Sequence, residues 1–319
     1  MSLTSLVGQS FFATPLRRLV AILNPQSDRG RTAPLAESLR DALSSRFELR
    51  LLQTTRRGEA VNLARNAGEQ GCDAVVAIGG DGTVHEVVNG LMGLPAEARP
   101  ALGILPAGSG NDVAYALGVT KDLAATAAMI ERGATRLVDV GCVDAVRGCS
   151  CYCINNIGLL LEGEINRASH QLTWPRGSGL YLRAMVQTLM KRLPAAHLRL
   201  TVDGQELVRT ATLLSIGNGP RSGGKFQLMP DATLDDGYFD YLLAPPVSRW
   251  KLLWKVRGAL SGKKVEGDWI ERGRFQRMTI CSDVALVAHV DGEPWIAAAD
   301  DVRDVTIVVL PLALRVLCP

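Results

Sequence analysis

Short apolar runs alternate with amphipathic stretches from Leu16 to Leu117, and this alternation limits the possible fold more than any other feature of the chain. The apolar runs have the length and composition of buried strands, and the stretches after them have helical periodicity. The predicted strands are 19–23, 47–52, 74–78 and 101–105, and the predicted helices are 33–45, 59–70, 83–91 and 111–117. Repeated strand–helix units form parallel sheets covered by helices. The pattern therefore predicts a doubly wound, mostly parallel α/β domain over residues 15–138.

The pattern changes after about residue 138, where strand-like segments follow one another directly. These segments are 151–154, 197–202, 209–216, 238–243, 278–281 and 305–310. Turn signals such as Asp203-Gly204 and Asp236-Gly237 separate several of them, and helical patterns interrupt them at 180–192 and 248–261. Consecutive short strands of this kind are typical of antiparallel sandwiches. We therefore predict that an all-β sandwich over residues 139–310 follows the α/β domain, with residues 311–319 able to pack back on the first domain.

Size and charge exclude several functional classes. A chain of 319 residues is long enough for two domains, and its formal net charge of +3 is too small to indicate a nucleic-acid partner. No apolar run reaches the length of a membrane span, since the closest, 305–317, is interrupted by Pro311 and Arg315. No secretory signal is recognisable, so we expect a cytoplasmic location.

Four of the seven cysteines lie close together, at Cys142, Cys149, Cys151 and Cys153. A zinc site would need a paired Cys-x-x-Cys spacing or a nearby histidine, which this segment lacks. The alternation around residue 152 instead indicates a strand in which a thiol packs as a small apolar group. We expect these cysteines to be reduced.

The loop Gly79-Gly80-Asp81-Gly82-Thr83 joins a predicted buried strand to a predicted helix. Its glycines allow a tight turn and a close approach of the backbone to a ligand. The start of the following helix offers free N–H groups and a positive dipole end, which together bind phosphate. Thr83 could cap the helix or donate to a phosphate oxygen, and Asp81 could be only a structural cap. The loop predicts a phosphate site.

A second loop, Gly108-Ser109-Gly110-Asn111-Asp112, repeats this arrangement after the next predicted strand. Adjacent parallel strands bring their carboxyl ends to one edge of the sheet, where nucleotides bind in open α/β folds. Asn111 could cap the helix, contact the ligand, or do both.

Together these segments resemble the catalytic domain of the diacylglycerol kinase family, and they are especially similar to its soluble bacterial lipid kinases. The segments are GGDGT at 79–83, EVVNG at 86–90 and LPAGSGND at 105–112, with agreement also at Asn24-Pro25, 217–219, 223–224, Pro230, 235–237 and 289–294. The likeness runs from Leu19 to the C-terminus. It implies a phosphofructokinase- or NAD-kinase-like α/β domain, a C-terminal β-sandwich, ATP in the cleft between them, and a lipid substrate.

The resemblance also implies which residues contact the nucleotide and the metal. The matching nucleotide positions are Asn24, Thr54, Gly79, Gly80, Asp81, Gly82, Thr83, Val84, His85, Ser109, Asn111 and Asp112. The matching Mg²⁺ turn would use the carboxylate of Asp236 and the main-chain oxygens of Thr233 and Tyr238, and oxygen ligands of this kind suit Mg²⁺. Asp81, Asp112 and Asp139 match acidic positions that the family gathers around its metal and phosphate site.

Two departures from the family pattern stand out. Asp28 follows Ser27 in the first loop, where the family usually has glycine, and its charge would lie near the phosphates. Family members also commonly carry an acidic residue soon after the position of Gly158. This chain has three leucines, 159–161, before Glu162, so we expect a difference in the acceptor pocket.

The turn Asp291-Gly292-Glu293 matches the family motif that contains the general base. We favour Glu293 as the base, with Asp291 sharing that role or orienting the acceptor. From the residues alone, Asp-Gly would indicate an ordinary β-turn. His289 could also serve as a base, although we expect it to be a packed strand residue.

Basic and aromatic residues occur together in residues 174–177, around Arg183, Lys191 and Arg192, and in residues 250–257. Such segments could lie on anionic lipid at the inner membrane surface, or could form solvated helices with a buried aromatic face.

Exposed sandwich edges make a homodimer reasonable. Two alternatives to a lipid kinase stay open: a kinase for NAD or another small molecule, since those enzymes also use a GGDG-type loop, and a non-catalytic lipid-binding protein on the same scaffold.

Overall fold

The computed structural model describes residues 16–27, 32–145, 149–172, 178–191, 193–224, 226–252, 267 and 269–319. The chain divides into two compact units. The first unit comprises Met1–Val140 and Pro311–Pro319, and the second comprises Gly141–Leu310. The predicted Asp28 loop, the segment 174–177 and most of the predicted helix 248–261 lie outside the described residues.

The first unit contains a parallel sheet with helices between its strands. Its strands are β1 (Arg18–Leu23), β2 (Glu48–Gln53), β3 (Ala74–Gly79) and β4 (Ala101–Pro106), and its helices are α1 (Thr32–Leu43), α2 (Glu59–Glu69), α3 (Asp81–Met92), α4 (Asp112–Ala116) and α5 (Leu123–Arg132). The strand order is β2-β1-β3-β4, and every pair among these four is parallel. The predicted α/β alternation is confirmed. Helix α5 was not among the predictions, although Asp122 accepts from Ala125 N at its start as an N-cap residue does.

The central strands β3 and β4 are buried along their whole length. In their register Ile78 lies beside Leu105 and Gly79 beside Pro106, so both strands end at the same level. Since the chain leaves both strands in the same direction, the two glycine loops begin next to each other.

The second unit is built mainly of antiparallel strands. Its elements are β5 (Thr135–Ala145, which begins in the first unit), β6 (Cys149–Cys153), β7 (Asn156–Leu160), α6 (Leu161–Gln171), α7 (Ser178–Met190), β8 (Ala196–Val202), β9 (Gln205–Ala211), β10 (Leu213–Gly217), β11 (Phe239–Ala244), β12 (Glu271–Phe275), β13 (Arg277–Ser282), β14 (Ala288–Val290), β15 (Glu293–Ile296) and β16 (Asp304–Leu317, which ends in the first unit). One sheet has the order β12-β11-β10-β7-β14-β15, and a second contains β16-β13-β8-β9. Buried side chains from both sheets, among them Phe239 and Phe275, form one core. The predicted all-β sandwich is therefore confirmed.

Two predicted strands differ from those observed, and a second helix was missed. Residues 209–216 were predicted to form one strand, but they belong to β9 and β10, which lie in different sheets on either side of Thr212. Helix α6 was not predicted, because its first residues continue an apolar run that resembles a strand. The last strand was expected to end at residue 310, yet it continues through Pro311, where Leu312 has φ 50°.

In the part of the chain that the structure describes, no helix is both long enough and apolar enough to cross a bilayer.

Candidate functional site

The first glycine loop turns sharply between β3 and α3. Thr83 is buried against Gly79, so a side chain at position 79 would overlap the threonine hydroxyl. Gly80 is the N-cap residue of α3, and as a glycine it has no side chain to cap the helix. Thr83 therefore does not act as the cap that its position allowed.

The second glycine loop touches the first through backbone atoms. A Cβ atom on Gly80 would lie 3.1 Å from the Cα of Gly108, and a Cβ atom on Gly108 would collide with the Cα of Gly80. Asn111 has φ 53°. Its side chain forms two hydrogen bonds with the backbone of Gly108: Oδ1 accepts from Gly108 N at 2.9 Å, and Nδ2 donates to Gly108 O at 2.8 Å. Asn111 therefore fixes the shape of the second loop, a role that requires its amide group.

Asp81 holds the two loops together. Its carboxylate accepts from the backbone N–H groups of Asn111 and Asp112, both at 2.7 Å. It thus caps the start of α4, the helix after the second loop, and not its own helix. Burial raises the pKa of Asp81 to about 6, the charge of Asp112 acts in the same direction, and the backbone N–H groups oppose both. A cation bound beside these two carboxylates would remove the repulsion between them.

Two other predicted nucleotide positions have structural contacts. Thr54 is buried, and both its N–H and its hydroxyl donate to Leu23 O, at 2.9 and 3.3 Å. Asn24 lies at the end of β1, donates its N–H to Ile78 O at 3.2 Å, and accepts from Gln26 N at 2.9 Å. These contacts shape the floor of the loop region, beside the end of β3.

The remaining predicted residues of the first unit are Gly82, Val84, His85, Ser109 and Asp139. Val84 is buried in α3, and His85 follows it with its carbonyl accepting from Asn89 Nδ2 at 2.9 Å. Gly82 precedes Thr83 in the first turn of α3. Ser109 lies in the second loop, between the contacts of Gly108 and Asn111. Asp139 is fully buried and accepts from Leu312 N at 2.7 Å, which ties it to the C-terminal segment.

Sequence reasoning missed two contacts of the loop region. Lys121 donates its Nζ to Gly108 O at 2.8 Å, which places a cation at the second loop. Glu86, named only as part of the EVVNG segment, accepts from Gly58 N at 2.8 Å and Ala60 N at 3.1 Å, so it caps the start of α2. Nothing around Lys121 in the sequence signals its role, because the contact depends on how the chain returns after α4.

In the turn predicted to bind Mg²⁺, the carboxylate of Asp236 is paired with an arginine. Asp236 forms an ion pair with Arg274 and accepts from Tyr238 N at 3.0 Å. Arg274 also lies over the ring of Tyr238, 4.7 Å from its centroid. Thr233 is exposed in the same turn. The one carboxylate of the predicted set is therefore paired with a guanidinium in this structure, and Mg²⁺ binding at this turn stays a prediction.

The Asp291-Gly292-Glu293 turn separates the roles of its two carboxylates. Asp291 has φ 52° and is buried, and its oxygens accept from three backbone N–H groups: Ile154 at 3.1 Å, Asn155 at 2.8 Å and Asn156 at 3.0 Å. Glu293 is the half-buried first residue of β15, opposite Val290. Asp291 therefore fastens the turn to the start of β7, which leaves Glu293 as the better candidate for proton transfer.

Cys153 contributes a fourth donor to Asp291, at 3.3 Å from its Sγ. Burial raises the pKa of this thiol well above its ordinary value, and the charge of Asp291 adds to the effect. The thiol therefore stays protonated and acts as a hydrogen-bond donor.

A buried polar cluster beneath the turn was not predicted. His289 is a packed residue of β14, as expected, and its Nδ1 accepts from Gly292 N at 3.2 Å. Its Nε2 faces Glu162 Oε1 at 3.6 Å, and that oxygen also accepts from the Ser222 hydroxyl at 3.2 Å. The donor on Nδ1 fixes the neutral tautomer, with the ring proton on Nε2. The sequence placed these three residues far apart, so only the fold could bring them together.

Comparisons with known proteins find relatives over most of the chain. Residues 18–143 match the family described as the diacylglycerol kinase catalytic domain, and residues 157–318 match the YegS C-terminal NAD kinase beta sandwich-like domain. A relative from Chromohalobacter salexigens, named "Probable lipid kinase YegS-like", is 35% identical over 83% of this chain and 85% of its own. A diacylglycerol kinase from Mycobacterium tuberculosis is 30% identical over 95% of both chains.

A solved structure shares the fold at lower sequence identity. The crystal structure of a diacylglycerol kinase from Bacillus anthracis strain Sterne superposes with a TM-score of 0.72, at 22% identity, over 96% of this chain and 98% of that chain. At this identity the likeness establishes the fold alone.

Proposed function

The chain belongs to the diacylglycerol kinase catalytic-domain family and is a lipid kinase, and we propose that it transfers the γ-phosphate of ATP to the hydroxyl of a diacylglycerol or sphingoid-like lipid. The observation that carries the proposal is the pair of glycine loops after β3 and β4, held in contact by Asp81. Phosphoryl transfer needs mainly positioning, charge neutralisation and a proton acceptor, and the two units offer residues for each.

Nucleotide binding is proposed for the first unit. The start of α3 would hold phosphate oxygens through backbone N–H groups. Ser109 adds a hydroxyl, and the cation of Lys121 lies at Gly108 O. Asn24, Thr54 and His85 are proposed to complete the site.

Proton transfer is proposed for Glu293 in the second unit. The lipid hydroxyl oxygen would form a bond to the γ-phosphorus while the bond to the β–γ bridging oxygen breaks and ADP leaves. Glu293 would take the hydroxyl proton, and Asp291 would keep the turn in place through its backbone contacts.

Mg²⁺ is proposed to arrive with the nucleotide and to be held near Asp81 and Asp112. Two carboxylates with phosphate oxygens suit this ion, and it would neutralise charge on the phosphates.

We expect Asp112→Asn to raise the Mg²⁺ concentration for half-maximal ATP turnover by about tenfold. The effect of Asp236→Asn should be smaller, because Arg274 already pairs with Asp236. Titration of Mg²⁺ at saturating ATP measures both values. The opposite order of the two variants would place the ion at the Asp236 turn.

A labelled-ATP assay against several acceptors tests the proposed function. The acceptors are a diacylglycerol, a sphingoid base and NAD. Labelled lipid product is expected, with at most trace transfer to NAD. Transfer to NAD alone would identify a nucleotide kinase, and an absence of ATP binding would identify a non-catalytic protein on the same scaffold.

We infer that one face of the second unit contacts an anionic membrane. Trp250 is 69% exposed and Met190 53% exposed, so Trp250 does not belong to a buried aromatic face. Lys191 and Arg249 lie with them around one surface depression. Exposed aromatic and cationic groups together suit anionic headgroups. A cytoplasmic location at the inner membrane surface and a homodimer stay predictions.

Trp250→Asp is expected to weaken binding to vesicles that contain anionic phospholipid by about tenfold, since it removes an interfacial anchor and adds repulsion. Cosedimentation measures the change. Val208→Asp is the control, because Val208 is 66% exposed on β9 and lies outside this face. Equal effects of the two variants would contradict a specific membrane face.

A further inference from the structure

The turn at residues 291–292 is a two-residue connection between β14 and β15. Asp291 has φ 52° and Gly292 has φ 84°, and Val290 pairs with Glu293 across the turn. Positive φ at both central positions is the mark of a type I′ turn, for which Asp-Gly is a preferred sequence. Strand β15 is only four residues long and ends its sheet, so the direction of Glu293 at its first position depends on what holds this turn.

The first half of the turn is held by neighbouring strands. Asp291 N donates to Asn156 O at 2.7 Å, in addition to the bonds of its carboxylate with the start of β7. Gly292 N donates to His289 Nδ1 at 3.2 Å. The peptide between Asp291 and Gly292 is therefore fixed, but these contacts do not reach the next peptide, which leads to Glu293.

The second half of the turn is held by helix α6. Gly292 O accepts from Asn166 Nδ2 at 2.7 Å and lies 3.0 Å from His170 Nε2. A carbonyl oxygen only accepts, so His170 carries a proton on Nε2 in this contact, as a neutral ring or as an imidazolium. Both lone pairs of Gly292 O are thus used by side chains of one helix.

Helix α6 is a well-fixed support for these two donors. Asn166 and His170 are four residues apart, so they lie on the same face of the helix. The helix packs so closely on the sheet that a Cβ atom on Gly163 would collide with Val287 O. Asn166 is 5% exposed, whereas His170 is exposed in the last turn. Donors on a packed helix have a better defined position than donors on a loop.

Holding Gly292 O also holds the backbone of Glu293. The carbonyl group of Gly292 and the nitrogen of Glu293 belong to one planar peptide unit, so two hydrogen bonds to the oxygen restrict rotation of the whole plane. The direction in which the Glu293 side chain leaves the backbone follows from that plane. A base must lie within about 2.6–3.2 Å of the proton that it takes, and a misplacement of about 1 Å can cost about 100-fold in rate.

We propose that Asn166 and His170 are positioning residues for the phosphoryl transfer. They hold Glu293, through the carbonyl before it, in the direction in which it takes the proton of the lipid hydroxyl. The role rests on the proposed function, in which Glu293 is the base, and neither residue touches the reacting atoms. No sequence motif surrounds His170, and its part in the site follows from its distance to Gly292 O.

Two substitutions of His170 separate its hydrogen bond from its bulk. Leucine has a similar size and no donor, so His170→Leu should lower kcat for lipid phosphorylation by about tenfold. Glutamine can place an amide N–H close to the position of Nε2, so His170→Gln should stay within about threefold of wild type. The KM values for ATP and lipid should change by less than about twofold in both variants, as steady-state kinetics will show.

His197→Leu is the matched control for the loss of an imidazole. His197 is exposed on β8 in the same unit, where its Nδ1 contacts the Thr210 hydroxyl at 2.9 Å. Its replacement should leave kcat within about twofold of wild type.

Asn166→Asp tests the second donor. A carboxylate of the same size places an acceptor against Gly292 O, so kcat should fall by about tenfold or more. Thermal melting shows whether the buried charge also unfolds the protein. The comparison of the two His170 variants does not depend on that result, because His170 is exposed.

A second background tests whether the effect of His170 runs through Glu293. In the Glu293→Gln variant there is no base to position, so adding His170→Leu should lower the remaining rate by less than about twofold. A similar loss in both backgrounds would overturn the positioning role. A kcat of His170→Leu equal to that of wild type would overturn it as well.

Hydrogen exchange separates this proposal from the proposed function, because it needs no activity. Exchange of the segment 288–296 should be about fivefold faster in His170→Leu than in His197→Leu, since one support of the turn is lost. Equal exchange would overturn the hold on the turn, and lipid phosphorylation by the wild type would still stand. Faster exchange in a protein that phosphorylates no lipid would support the hold on the turn but overturn the kinase function, and with it the positioning of a base.

Discussion

Replacing Glu293 with glutamine is expected to lower kcat for lipid phosphorylation by about 100-fold or more. Loss of a general base typically costs about 10²–10⁴ in rate, and glutamine keeps the size and most contacts of the side chain while it cannot take a proton. The KM values for ATP and lipid should change little, since Glu293 is proposed to act in the transition state. Steady-state kinetics with a lipid acceptor give all three parameters.

Glu206→Gln is the matched control for this substitution. Glu206 is an exposed glutamate of β9 in the same unit, so its loss of charge should leave kcat within about twofold. The pH dependence of kcat adds a readout that a structural defect would not reproduce: the limb that reports an ionised base should disappear in Glu293→Gln. A kcat within about threefold of wild type would mean that the proton acceptor lies elsewhere.

Substituting alanine for Gly108 is expected to reduce ATP affinity by at least about tenfold and to destabilise the first unit by about 1–3 kcal/mol. The added Cβ atom would collide with the Cα of Gly80 and lie 2.9 Å from Asn111 Oδ1. Both neighbours are fixed, one in the backbone and the other by its bonds to Gly108, so the two loops must separate. Calorimetric ATP binding and urea denaturation measure the two effects.

Two further alanine substitutions calibrate the effect of Gly108→Ala. Gly80→Ala should be milder, because its Cβ atom would lie 3.1 Å from the Cα of Gly108. Gly93→Ala should be mildest, since its nearest neighbour is the end of the Arg65 side chain, at 2.9 Å, which can move. An ATP affinity for Gly108→Ala equal to that of Gly93→Ala would show that close contact of the loops is not required for binding.

Much of the fold could be predicted because local patterns specified it. The strands β1 to β4 lie within a residue or two of their predicted bounds, since β1, β3 and β4 are short apolar runs ended by Pro, Gly or a polar residue, and β2 has leucines between polar residues. Residues 209–216 could not be divided correctly, because a strand that changes sheets at Thr212 keeps the same composition on both sides. The start of helix α6 could not be predicted for a similar reason, because Leu159, Leu160 and Leu161 are equally compatible with a strand and a helix.

The family resemblance named candidate site residues, but the sequence did not predict their contacts. The family resemblance identified Asp81, Asp236 and Asp291 as candidates, and each was expected to act on a ligand or metal. In the structure each also has a structural partner: the start of α4, Arg274, and the start of β7. These partners lie between 30 and 136 residues away along the chain, beyond the reach of local sequence patterns.

The sequence by itself determined the alternation of strands and helices, the two glycine loops and the family, because these depend on neighbouring residues and on backbone freedom. Only the tertiary structure decided that Asp81 joins the loops, that Asp291 accepts from backbone donors, and that Glu162, His289 and Ser222 form one buried cluster. The reason is that a carboxylate's role follows from the donors and charges around it, and folding brings those together from distant parts of the chain.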